Sequence, residues 1–254
     1  MKANAITRIV IYSILILLLV GILCAGLGQG LPFIQLGQKG TPVYGEVKIA
    51  PNEVSSLSID WIAGSILITA ADTDSIIISE EGEKDNNRMS YRIEGDTLHL
   101  SYSDGFHFGF FSTPTKKLNV IVPRDWNCAM LEIDGASLRI STTDLTIGTL
   151  ELDGASNQLS ISGSIEKLDC DGASNSITMN CANRPSNIDL DGASCKLNLT
   201  LPKDCGFRAE LDGINCDLNS HLPYSHRDDY YAYGDEYCHI TTDGISCDIT
   251  ISHP

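Results

Sequence analysis

The sequence predicts an all-β fold: a single-stranded parallel β-solenoid of about 20-residue coils that follows one N-terminal transmembrane helix. Three observations predict it. Asp-Gly pairs recur with apolar residues at fixed offsets on either side, the segments around them alternate apolar and polar residues, and a charge-free apolar run opens the chain.

The apolar run comes first. No charged residue occurs from Ile9 to Gln38, and "IVIYSILILLLVGILCAGLG" has the length of about 20 residues that crosses a bilayer as a helix. Lys2 and Arg8 precede it, which predicts a single-pass cell-membrane protein with its C-terminal domain extracytoplasmic. The run is longer than the core of a cleavable leader, and Cys24-Ala25-Gly26 makes a poor cleavage site, so residues 1–28 are expected to be a cytoplasmic stub and an uncleaved signal anchor. Residues 29–53 mix Gly, Pro and Gln without periodicity and read as a linker. The rest, 54–254, reads as one β domain, with less regular coils over 54–126 and the Asp-Gly coils over 127–254.

Within 54–126 the stretches "SSLSIDWIAGSILITA", "DSIIISEE", "YRIEGDTLHLSYS" and "KKLNVIVP" alternate with period two between Gly, Asp, Asn and Pro, as half-buried strands do. The repeat then takes over. Asp-Gly pairs stand at Asp134-Gly135, Asp153-Gly154, Asp171-Gly172, Asp191-Gly192, Asp212-Gly213 and Asp243-Gly244, spaced by 19, 18, 20, 21 and 31 residues. Three places before each Asp come Leu131, Leu150, Leu168, Ile188, Ala209 and Ile240; six places after come Ile140, Leu159, Ile177, Leu197, Leu218 and Ile249. Inward positions are therefore odd before the Asp and even after it. One extra residue has flipped the parity, as a bulge or corner does. These twelve Asp and Gly residues read as structural corners, with Gly taking positive φ and Asp bonding the turn. The reading places Ala136, Ala155, Ala173, Ala193, Ile214 and Ile245 inward. A further inward column, Leu138, Asn157, Asn175, Cys195, Cys216 and Cys247, would let its Asn side chains bond one another along the axis.

These features, a "WIAGSILI" first coil, a "LNVIVP" segment ahead of the coils and Gly-Ala-Ser corners, resemble the bacterial putative-adhesin β-strand-repeat domain family over about residues 54–254. The resemblance implies an extracytoplasmic domain with no established enzymatic activity. It assigns no functional residue, and the Asp before each Gly departs from the Ser more common in that family.

Charge narrows the partners. All 33 Asp and Glu follow residue 45, against 15 of the 17 Lys and Arg, so the region beyond the apolar run is strongly acidic. That excludes a nucleic-acid partner, whose affinity comes from cations on phosphate. The Asp row places like charges about one strand spacing apart, but one carboxylate per coil supplies too few oxygens for Ca²⁺. "HLPYSHRDDYYAYGDEYCHI" offers His221, His226, Asp228, Asp229, Cys238 and His239 by type, at spacings that match no zinc site. No metal or cofactor is expected. Eight of the nine Cys follow the apolar run, and in-register Cys195, Cys216 and Cys247 read as free buried thiols. Two aromatic loops are candidate partner-binding segments: Phe106, Phe108, Phe110 and Phe111 in one, Tyr230, Tyr231 and Tyr233 in the other.

Together these readings predict a non-enzymatic binding, adhesion or envelope-sensing module that contacts the membrane through its first helix and a protein or envelope glycan through its domain. The alternatives are a carbohydrate-active enzyme using Asp residues of the row, and a structural subunit assembling end to end. "TTDGISCD" resembles the acid motif of β-helical pectin hydrolases, yet it lacks companion carboxylates.

Overall fold

The structure, a computed structural model, describes residues 40–82, 88–102, 115–227 and 229–254. The first strands are β1 (Thr41–Pro42), β2 (Glu46–Ile49), β3 (Ser56–Asp60), β4 (Gly64–Ala71), β5 (Ile76–Glu81), β6 (Ser90–Glu94), β7 (Thr97–Ser101) and β8 (Lys116–Pro123). The repeat region adds β9 (Asn127–Ala136), β10 (Leu138–Ala155), β11 (Gln158–Ala173), β12 (Asn175–Cys181), β13 (Asn187–Thr200), β14 (Phe207–Ser220), β15 (Ser225–Arg227), β16 (Tyr230–Tyr233) and β17 (Cys238–Ser252). Alternation of apolar and polar residues is what makes them strands. In β4 and β8 every second residue is buried, including Ile66, Ile68, Leu118, Val120 and Val122.

The all-β expectation holds, but the single-stranded parallel solenoid is corrected. The strands form one open 17-stranded mixed sheet. β6 and β7 are an antiparallel hairpin turning at Gly95-Asp96, while β2 runs antiparallel to β5 and β5 antiparallel to β8. β1 pairs antiparallel with β6, and β16 pairs antiparallel with both β14 and β15. Period-two alternation states which face of a strand is buried and leaves its direction open, so these hairpins were invisible to it.

The neighbour order also departs from chain order. β9, β10, β11 and β13 follow one another in parallel register through the Asp-Gly pairs. Next comes β17, and β14 lies beyond it: Asp191 is opposite Asp243, which is opposite Asp212. The repeat centred on Asp212 is therefore the one at the sheet edge.

The localisation expectation is corrected as well. Among the described residues there is no helix, and so none long and apolar enough to cross a membrane. The stretch read as the signal anchor, 1–28, lies outside the described residues. Part of the stretch read as linker is strand: Val43 and Ile49, beside and within β1 and β2, are buried in the core.

The corners have a different build from the one the residue parity implies. Ala136, Ala173 and Ala193 are exposed, Ala155 is half-buried, and Ile214 and Ile245 are exposed. The chain turns inward one residue later. Ser137, Ser156 and Ser174 have φ of 59°, 62° and 61°, left-handed values that break the strand just before Leu138, Asn157 and Asn175. At the first two of these bends a buried amide from the next repeat meets the chain. Asn157 Oδ1 accepts from the Leu138 N–H at 3.0 Å while its Nδ2 donates to the Gly135 carbonyl at 3.1 Å. Asn175 Oδ1 likewise accepts from the Asn157 N–H at 3.2 Å. The Asn side chains thus bond the backbone of the preceding repeat rather than one another. β13, β17 and β14, which carry Cys195, Cys247 and Cys216 at this position, run through unbroken.

Gly172 meets two demands at once. Its φ is +125°, and an ideal Cβ would lie 1.8 Å from the Gly154 carbonyl oxygen, so the glycines let successive strands close to sheet spacing at the bend. The eight described cysteines are free; Cys195 and Cys247 are buried and Cys216 is half-buried. Burial pushes the Cys128 thiol up to about 12, which makes it a packing group.

Candidate functional site

The corners generate a surface as well as a bend. Because the Asp-Gly pairs are in register, their carboxylates line up along one face in the order Asp60, Asp134, Asp153, Asp171, Asp191, Asp243, Asp212. Asp60 comes from β3 and heads the row. A second row runs two residues upstream on the same face: Glu132, Glu151, Asp169, Asp189, Thr241 and Glu210. Residues two apart on a strand share a face, and adjacent strands lie about 4.8 Å apart, so the two rows form a lattice of carboxylates.

Few counter-charges reach it. Arg208 pairs with Glu210 at 2.6 Å, Thr241 donates a hydroxyl to Asp189, and Asn187 Nδ2 donates to Asp189 at 3.3 Å. Every other carboxylate of the two rows lacks a salt bridge to a described residue. The protonation equilibria register this crowding. Burial, then repulsion from Asp153, Glu132 and Asp60, raises Asp134 above the ordinary carboxylate range. Burial followed by Asp169 and Glu132 raises Glu151; burial followed by Asp171, Asp189 and Asp191 raises Asp169. Burial raises Asp60.

The twelve corner residues are thus all brought into two adjacent columns, with Asp outward and Gly at the bend. Phe106, Phe108, Phe110 and Phe111 lie outside the described residues. The tyrosines are half-buried. Tyr231 stacks on His226 at 4.5 Å, Tyr233 packs 6.1 Å from Phe207, and Arg208 sits 3.8 Å over the Tyr230 ring. They pack the hairpin of β15 and β16 onto the first residues of β14. Of the metal-type residues in that insertion, Cys238 is buried with its thiol pushed up by burial, His221, His226, Asp229 and His239 are exposed, and Asp228 lies outside the described residues. Among the described residues no group of three or more His, Cys, Asp or Glu is arranged to hold a metal ion.

Sequence reasoning missed the second carboxylate row, although its signal was present: Glu or Asp recurs two places before five of the six Asp-Gly pairs at the outward parity. It also missed a buried ion pair. Lys116 Nζ lies 2.7 Å from Glu80 Oε2, both side chains being almost fully enclosed, and 4.2 Å from the Tyr102 ring centroid. Both residues fall on the inward parity of their strands, where a charge stands out. The pair is closed off by the Met89 N–H, which donates to Glu80 Oε1 at 2.8 Å, so it serves the core. A cavity of about 610 Å³ opens beside it, lined by Ser65, Lys117, Arg139 and Gln158, but Lys117 is engaged by Glu81 at 3.0 Å.

No protein-family model matches the chain, and no curated protein matches it. Solved structures do. The chain is similar to a structure described as a "putative cell adhesion protein" from Clostridium sporogenes ATCC 15579, with a TM-score of 0.50 and 13% identity over 84% of this chain and 100% of that one. A "putative adhesin" from Bacteroides fragilis NCTC 9343 aligns with a TM-score of 0.40 and 11% identity over 84% of this chain and 99% of that one. What the chain shares with the Clostridium protein is the fold.

Proposed function

We propose that this protein is a non-enzymatic binding module of the adhesion type, which presents its carboxylate lattice to a cationic partner. The observation that carries the proposal is the in-register double row of acidic side chains, of which Glu210 alone has a salt bridge to a described residue. Each neighbouring pair repels by about 1 kcal/mol even in water, a standing cost that a cationic surface would relieve. The carboxylates are spread evenly along an exposed face, which suits an extended partner better than a small substrate. The fold shared with a protein described as a putative cell adhesion protein is in keeping with this reading, and with membership of the adhesin-like repeat family that the sequence resembles.

The test is retention of the purified chain on immobilised polylysine, polyglutamate and a neutral glycan, across a salt series, with hydrolysis of a polysaccharide panel assayed in parallel. Retention on polylysine that salt abolishes, with no turnover, is the expected result. Reproducible turnover lost in Asp171→Asn/Asp191→Asn would overturn the proposal.

A further inference from the structure

We propose that the outer edge of β14 is a docking site for an extended cationic polypeptide segment, which joins the sheet as its next strand; this rests on the binding-module reading above and names the kind of partner. Pairing supplies the first observation. β17 bonds β14 along its length, but on the other side β16 covers just Phe207–Ala209. Among the described residues nothing pairs with 210–220 on that side, and a row of unpaired backbone N–H and C=O groups is a template for strand addition.

The side chains change at the same place. Where repeats further inside the sheet carry Ala173 and Ala193, the two outermost carry Ile245 and Ile214, exposed by 57% and 77%. Leu218 is half-buried, whereas its counterpart Ile249 on the inner neighbour is fully buried. The edge therefore offers apolar contacts that the sheet has not used.

Charge then selects the occupant. β14 presents Glu210, Asp212 and Asp217, and its Arg208 is already held by Glu210. A second copy of β14 would set acidic residues against one another in a chain of net charge −16, and like charges opposed across a strand pair destabilise it. A segment with Lys or Arg at positions two apart would extend both carboxylate rows with the opposite sign at strand spacing, and an apolar residue beyond them would meet Ile214.

The experiment titrates the full chain with labelled peptides by fluorescence anisotropy and follows β14 amides by hydrogen exchange. The probes are a short peptide alternating Lys and Val, its Glu-for-Lys counterpart, and the Lys-Val peptide N-methylated on alternate amides, which keeps the charge but cannot pair as a strand. The expected result is binding of the Lys-Val peptide with slowed exchange in 210–220, about tenfold weaker binding of the Glu peptide, and loss of binding on N-methylation. Asp212→Lys should weaken the Lys-Val peptide, and Ile214→Ser should weaken all peptide binding. Equal binding of the N-methylated peptide would overturn the edge while leaving the acidic face as a binding surface. Absence of peptide binding, or protection of β14 by self-association, would overturn it too, and the polylysine retention would then decide the broader reading separately.

Discussion

Alanine at Gly172 should be among the most damaging single-methyl changes in the protein. Two costs combine there. The backbone φ of +125° is one that L side chains rarely adopt, and holding a residue in such a region costs about 1–3 kcal/mol. The new Cβ would also sit 1.8 Å from the Gly154 carbonyl oxygen and 2.8 Å from its carbon, contacts that force backbone to move in a strand paired on both sides; overpacking of this kind costs about 1–3 kcal/mol. The sum, about 2–6 kcal/mol, lowers the unfolding temperature of a domain this size by about 10 °C. Gly213 is the control. Its φ is +153° and its Cβ would meet the Gly244 oxygen at 2.2 Å, but among the described residues no strand lies beyond β14 at this point, so it can tilt away. Gly213→Ala should cost about 1 kcal/mol, or about 2–4 °C. Gly244, later in the chain, belongs with the interior because β13 and β14 flank β17. Thermal unfolding followed by circular dichroism compares the two variants. A loss for Gly213→Ala equal to that for Gly172→Ala, or none for either, would refute the packing argument.

Three further outcomes follow from the same geometry. Asn157→Leu strands the Leu138 N–H and the Gly135 carbonyl in the core, and should cost about 2–4 kcal/mol in urea unfolding, whereas an exposed change such as Gln158→Ala should be nearly neutral. Lys116→Met leaves Glu80 buried without its cation, an expected loss of about 3–5 kcal/mol; adding Glu80→Gln, which still accepts the Met89 N–H, should recover much of it. Acidification should first stabilise. Asp134, Glu151 and Asp169 are raised, so the folded state binds their protons more tightly than the unfolded one, and the unfolding temperature should climb as pH falls from about 7 toward about 5. Glu81, lowered by hydrogen bonds from Lys117 and Asn119, and Asp235, lowered by the Gly206 N–H and then Arg184, should reverse the trend once pH drops below the ordinary carboxylate range near 4. Added salt at neutral pH should act in the stabilising direction as well. A monotonic fall in stability from neutral pH downward would count against the crowded carboxylates.

Much of the Asp-Gly register was legible because its cause is local. An invariant offset from Asp134 to Leu131 and Ile140, repeated at Asp153 and Asp171, is enough to align strands laterally, and the structure pairs them residue for residue. The corner was misread by one residue, since the parity flip between Ile133 and Leu138 can be absorbed at Ala136 or Ser137, and the Asn157 amide that meets the chain there arrives from another repeat. The strand neighbours were illegible for a similar reason. Nothing near Asp191 states that its partner is Asp243 and not Asp212, and that choice depends on how the insertion of β15 and β16 folds back on Phe207. The second carboxylate row and the Lys116–Glu80 pair were present as parity signals that went unread.

The interposed β17 has a consequence for how the chain is made. β13 pairs at once with β11 and β12, but the neighbour on its other side, which is also the strand that pairs along the length of β14, is β17, made after both. The bond from Thr241 to Asp189 spans 52 residues of chain. Contacts of such long range form slowly, because the loop entropy must be lost before the pairing compensates. Until then a nascent polypeptide holds two bare edges, and β14 is free to dock against β13 in the place meant for β17. A message cut short before Cys238 would leave that wrong pairing permanent, an edge-exposed species of the sort that aggregates or is cleared by proteases. Biogenesis of this protein should therefore be governed by its closing strand, with pulse-labelled chains becoming protease-resistant after β17 is complete and not gradually as each repeat appears.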